Sequence, residues 1–135
     1  MDSYSNQLFV IKLIIADVSK CLISSSKESY FKAEISCRLN KNHSDKINNL
    51  YEKIKFIYQQ EYYAYDQGKI SSSDLVYKVH KEITNNDLSL LSSALEGISF
   101  LEKIGMLHQL ANILEHEVVW SNTKSLEDKN EEQFV

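Results

Sequence analysis

The residues of this chain with most to offer chemically are four histidines (His43, His80, His108, His116), two cysteines (Cys21, Cys37) and one arginine, Arg38. A di-iron or di-manganese helical bundle needs Glu-x-x-His pairs on facing helices. None of these histidines has a glutamate three positions before it, and HExxH is absent. His116 lies between Glu115 and Glu117, but neighbouring residues on a helix point in different directions. The histidines therefore read as structural or surface residues, and no metal and no cofactor is expected. The cysteines form no CxxC pair, so both read as small buried hydrophobes in a reducing compartment. Glycine-rich phosphate loops and nucleophile-elbow motifs are also missing. A non-enzymatic role is the expectation.

One spacing has a possible catalytic meaning. Arg38-Leu39-Asn40-Lys41-Asn42-His43 is an Arg-x4-His pattern. It resembles the active-site motif of the HEPN family, small all-α proteins that include ribonucleases of toxin–antitoxin systems. The resemblance covers this motif and the general helical character. It implies that Arg38 would stabilise phosphate charge and His43 would shuttle a proton. The competing reading places Arg38 at a helix end, where positive charge suits the carbonyl terminus, and His43 in the loop that follows.

The most unusual stretch is Tyr58-Gln59-Gln60-Glu61-Tyr62-Tyr63-Ala64-Tyr65-Asp66-Gln67. Helical geometry puts Tyr58, Tyr62 and Tyr65 on one face and Tyr63 on another, so at least one tyrosine should be exposed. Tyrosine is rigid, apolar and polar-tipped, and it is enriched at protein interfaces. Tyr58, Glu61, Tyr62, Tyr63 and Asp66 are the candidate partner-binding residues, with the two acids as a negative rim. Downstream, Gln67-Gly68-Lys69-Ile70-Ser71 with Asp74-Leu75 resembles the helix–turn–helix joint of small helical immunity proteins that neutralise nuclease bacteriocins.

These residues must be positioned by helices, because no other periodicity is present. A first helix should run from about Ser5 to Ile23, with Leu8, Ile11, Ile15, Val18 and Leu22 as its stripe and Phe9, Val10, Leu13 and Ile14 widening it. It is apolar enough to lie at the centre of a bundle. Ser25 with Glu28 fits a capping box for a second helix reaching Leu39, with Phe31, Ile35 and Leu39 inward. Asn40 to His43 reads as a turn, and Ser44 as the N-cap of a long third helix that Gly68 stops. Ser71 to Asp74 opens a fourth helix with Leu75, Val76, Val79 and Ile83. Asn85 to Asp87 turns the chain into a fifth, from Leu88 to Gly105, with Gly97 at a close packing point. A sixth should end near Trp120.

The fold class is thus all-α: a compact bundle of five or six helices forming one domain over 1–120, with 121–135 a polar, flexible acidic tail. The chain has 135 residues, no proline and 43% apolar residues, which suits one domain with a real core. Net charge is −4 and the pI is near 5.5, so nucleic acid is a poor partner, because phosphate binders need a basic face. The apolar run Leu8–Ala16 is too short and too charged to span a membrane, and no signal peptide is visible. A cytoplasmic location is expected.

The function expected from these features is a bacterial immunity protein or antitoxin that occludes a basic toxin, possibly a nuclease. A secretion chaperone or a phage-encoded inhibitor is the nearest alternative. The HEPN-like ribonuclease and a structural homodimer paired through the first helix are the others.

Overall fold

The computed structural model describes residues 3–23 and 28–114. They form a helical bundle, with no strand among the described residues. The helices are α1 (Ser3–Ile23), α2 (Tyr30–Arg38), α3 (Lys41–Asp66), α4 (Ser72–Asn86) and α5 (Leu88–Lys103). A sixth helical run, α6, covers 106–114. Val118, Trp120, His116, Ser25 and the acidic tail lie outside the described residues.

Helices α1 and α3 each pack against the other and against α2, α4 and α5. They form the centre, as the apolar character of α1 requires. The buried face of α1 lies within the widened stripe but is centred on its Val10 and Ile14 side. Val10, Ile11, Leu13, Ile14 and Val18 are enclosed, whereas Leu22 is exposed and Leu8 and Ile15 are half-buried. The reason is that α1 has neighbours on several sides, which selects a broad sector around residues 10, 14 and 17 over a single narrow stripe. That sector is consumed inside the bundle, and the apolar surface left outward on α1 is Leu22 with the half-buried Leu8, Phe9 and Ile15.

Two helix starts differ from expectation. The N-cap of α2 is Ser29, whose side chain accepts from Lys32 N. The N-cap of α3 is Asn40, whose Oδ1 accepts from His43 N at 2.8 Å. Ser44 is instead buried in the first turn, its hydroxyl donating back to Lys41 O at 3.3 Å. The α2–α3 connection is therefore only Leu39 and Asn40, both extended, because Asn serves the orphan N–H groups as well as Ser does. Cys37 is exposed. It lies two positions from inward-facing Ile35, about 200° around the helix, so its reading as a buried residue is corrected.

The other terminators behave as their chemistry dictates. At the end of α3, Lys69 N donates to Ala64 O at 2.9 Å and Gly68 adopts φ 75°, the left-handed C′ arrangement that glycine permits. Ser71 and Asp74 close a full capping box on α4. Asp87 alone separates α4 from α5, and its carboxylate meets Lys53 Nζ on α3 at 2.9 Å. Asn85 and Asn86 belong to α4 and not to a turn.

Candidate functional site

The C-terminal half of α3 carries the aromatic cluster. It is anchored from below by Tyr58, which is completely buried. Tyr62 meets the Tyr58 ring edge-on at 5.7 Å, and Tyr65 tilts against it at 6.5 Å. Tyr65 is half-buried, with its hydroxyl 3.2 Å from Ser72 Oγ on α4. The Tyr58 hydroxyl faces Ser19 without closing a hydrogen bond of normal geometry. Tyr58 is therefore the foundation of the cluster, and its assignment as a partner-contacting residue is corrected.

Outward from that foundation, Tyr62 is 40% exposed, Tyr63 69% and Phe56 56%. Phe56, Gln59, Gln60 and Tyr63 follow the i, i+3, i+4, i+7 spacing of one helix face, and all four are exposed. Phe56 extends the cluster by two turns and was not singled out from sequence. The signal was available, since it sits beside Ile57 and out of phase with Ile54 and Tyr58. Glu61 is half-buried and held by Lys78 Nζ of α4 at 3.0 Å, and Asp66 is half-buried with interactions of its own. The expected negative rim is thus drawn into the fold on at least the Glu61 side. The surface presented by this face is aromatic and amide-rich.

Burial pushes the Tyr58 phenol up to about 12, with nearby Tyr65, Tyr62 and Asp66 adding to the shift and Ser19 opposing it. Tyr51 is raised further by burial and by its hydrogen bond to Asp17. Each phenol is neutral in the folded chain up to higher pH than in the unfolded one, from an ordinary value of 10.0. The stability they confer is complete below pH 10 and is lost as pH rises towards and through the raised values. A urea titration followed by circular dichroism should show stability falling between pH 10 and 12, by on the order of 2 kcal/mol for Tyr58 alone.

Arg38 and His43 are brought to the same end of the bundle, one closing α2 and one in the first turn of α3. Each engages a different carboxylate. Arg38 Nε lies 3.5 Å from Glu34 Oε2 within α2, and His43 Nε2 lies 3.6 Å from Glu96 Oε2 on α5. His43 also packs its Cβ beside Gly97. His80 makes a 2.8 Å hydrogen bond to Gln7 and an edge contact with Tyr4, and burial lowers its pKa. Among the described residues no group of three or more His, Cys, Asp or Glu is placed to hold a metal ion. No described helix is long and apolar enough to cross a membrane.

The most connected polar group is one that sequence reasoning passed over. Asp17, with no exposed surface, sits on α1 opposite the N-terminus of α2. Its Oδ1 accepts from Phe31 N at 3.1 Å. Its Oδ2 accepts from Tyr51 Oη at 2.6 Å and from Ser29 Oγ. One carboxylate thereby joins three helices, and it complements the positive end of α2. Phe31 stacks on Tyr51 at 5.8 Å, with Lys32 Nζ 4.7 Å above the same ring. Nearby Cys21 has its thiol pKa raised by burial and by Asp17. This is a structural clasp, enclosed away from any solute.

Comparison with curated proteins and with solved structures yields no match. A family model does match, over residues 1–123, which spans all six described helices and the aromatic face on α3. On that match, the chain belongs to the family described as C-terminal domain 8 of the ABC-three component (ABC-3C) systems.

Proposed function

We propose that this chain is a non-enzymatic protein-binding module that docks onto another component of a bacterial ABC-three component system through the outer face of α3. The observation that carries the reading is the exposure of Phe56, Tyr62 and Tyr63 along one stretch of α3. Monomeric proteins seldom leave neighbouring large aromatics in water without use for them. Tyrosines on a pre-ordered helix lose little entropy on binding and make strong anchors. Membership of a domain family from multi-component systems supports a protein as the partner. The unpaired cysteines Cys21 and Cys37 suit a reducing, cytoplasmic setting.

In its finer form, the partner is basic, a toxin component held inactive as an immunity protein or antitoxin holds its target. The net charge of −4 supports that form. The Lys78–Glu61 pair works against it at the tyrosines themselves, by neutralising part of the rim. The separate carboxylate partners of Arg38 and His43 give no support to a ribonuclease reading.

The test is calorimetric titration of the purified chain against each other component of its own system. Tyr63→Ala should weaken binding to one of them by about thirtyfold, the loss expected for an interface anchor worth 2 kcal/mol. Its melting temperature should stay that of the wild type, because the ring rests largely in solvent. Arg38→Ala should bind normally. Undiminished affinity in Tyr63→Ala, or loss in Arg38→Ala alone, would overturn the proposal.

A further inference from the structure

Five charged side chains lie on α3 between residues 52 and 66: Glu52, Lys53, Lys55, Glu61 and Asp66. Four of them already have partners within the bundle. Glu52 is engaged by Lys32 of α2, and Glu61 by Lys78 of α4 at 3.0 Å. Lys53 Nζ holds the Asp87 carboxylate at 2.9 Å. Asp66 has interactions of its own. The fifth, Lys55, lies one turn beyond Tyr51, on the side of α3 that meets Asp17 and Cys21 of α1. What stands outward among these charges is Phe56, Gln59, Gln60 and Tyr63. That strip consists of two aromatic rings and two neutral amides.

The apolar surface also continues beyond α3. Lys53 Nζ, besides holding Asp87, lies 5.9 Å over the Phe56 ring. One ammonium therefore ties Phe56 to the single residue between α4 and α5. The next residue is Leu88, at the first position of α5, and it is 57% exposed. A leucine so exposed adds apolar area at the edge of the same surface.

We infer that the docking footprint of α3 continues across the Lys53–Asp87 bridge to Leu88, and that it receives an uncharged, apolar face of the partner. The inference rests on the reading of α3 as the docking face and adds the chemistry of what meets it. A partner charge set on the strip would lose water and find no opposite charge free to replace it. An apolar partner face suits the rings and Leu88, while the glutamine amides can bond to its neutral polar groups. Any positive charge of the partner accordingly lies outside this contact.

The test places opposite charges at one exposed position. Gln60 lies on the strip between Phe56 and Tyr63. Gln60→Glu and Gln60→Lys are each titrated calorimetrically against the system component that binds the wild-type chain. Both should weaken binding, by about tenfold, because each buries a charge against an uncharged face. Leu88→Ala should weaken it by about fivefold. All three should melt with the wild type, since both side chains are exposed. Wild-type affinity should change by less than about threefold between about 0.1 and 1 M salt, where screening tightens from about 10 to 3 Å.

Opposite effects of the two Gln60 substitutions would reveal a charged partner face, basic if Gln60→Glu is the one that tightens. That result would overturn the inference. So would a tenfold loss of affinity in salt, or undiminished affinity in Leu88→Ala. Each of these is compatible with weakened binding by Tyr63→Ala, so the α3 reading would survive them. Undiminished affinity in Tyr63→Ala would overturn that reading and this inference together.

Discussion

Replacing Asp17 by alanine should lower the unfolding free energy by about 3 kcal/mol, the range for leaving several buried polar groups without partners. Three donors lose their acceptor together: Tyr51 Oη, Ser29 Oγ and the Phe31 amide. Two of the atoms are in fully enclosed surroundings, and Phe31 has no exposed surface at all. Water can reach Ser29 most easily, since that residue is half-buried, so its share of the loss is the smallest. For a domain of this size the melting temperature should fall by roughly 10 °C. Asp17→Asn should lose less, because the amide oxygen still accepts one bond while the NH2 must find an acceptor among donors. Thermal melts of the two variants and the wild type check both the loss and its order. Equal stability of Asp17→Ala and wild type would mean that the clasp is not holding α1, α2 and α3 together.

Gly97→Leu should be comparably damaging, by about 3 kcal/mol, at the upper end of over-packing penalties. Gly97 is buried at the seam where α5 crosses α3. A Cβ placed on it would lie 2.8 Å from Ile47 Cδ1 and 3.4 Å from His43 Cβ. Alanine crowds chiefly Ile47 Cδ1, the far end of a flexible side chain, with Ile47 Cγ1 and His43 Cβ at 3.4 Å, and removing a mid-helix glycine returns up to about 1 kcal/mol. Gly97→Ala should therefore change stability little. A leucine has nowhere to go without moving α5 off α3, because Ile47 is fully enclosed. Chemical denaturation should show the contrast. The pair should also be non-additive: Gly97→Ala with Ile47→Val, which deletes Cδ1, should be more stable than the sum of the single changes, by about 1 kcal/mol. Strict additivity would mean that the two side-chain positions do not meet.

Much of this architecture is legible in the amino-acid pattern. Ile47, Leu50, Tyr51, Ile54, Ile57 and Tyr58 mark α3 by period alone, and the long third helix follows. Gly68 and Gly105 stop helices with φ of 75° and 76°, and Ser71 with Asp74 forms the capping box their spacing announces. Where several polar residues compete to cap one helix, the sequence is silent on the winner. Ser29 and Asn40 prevail over Ser25 and Ser44 because tertiary packing fixes where the helix axis must begin. Asp17 shows the deeper limit. Its partners lie 12, 14 and 34 residues away, and its place in an apolar helix looks like a solvent-facing interruption until α2 and α3 are set against it. The aromatic face was half legible. The tyrosine density of α3 signals it and helical phase sets Tyr63 apart, but only tertiary packing separates buried Tyr58 from Tyr62 on the same face, and only the neighbouring helix reveals that Glu61 is held by Lys78. The family match reads the chain as a domain of a multi-component system, which the acidic composition alone had suggested only as a liking for protein partners.

The central claim, that α3 presents the docking face, is tested most directly by site-specific photo-crosslinking. A photoreactive phenylalanine analogue is placed at position 63 in one sample and at position 37, the exposed face of α2, in another. Each is irradiated with the other purified components of the system. A single crosslinked component from position 63, with none from position 37, is the result expected here. Crosslinking from position 37 and silence at position 63 would contradict it and move the interface to the exposed face of α2.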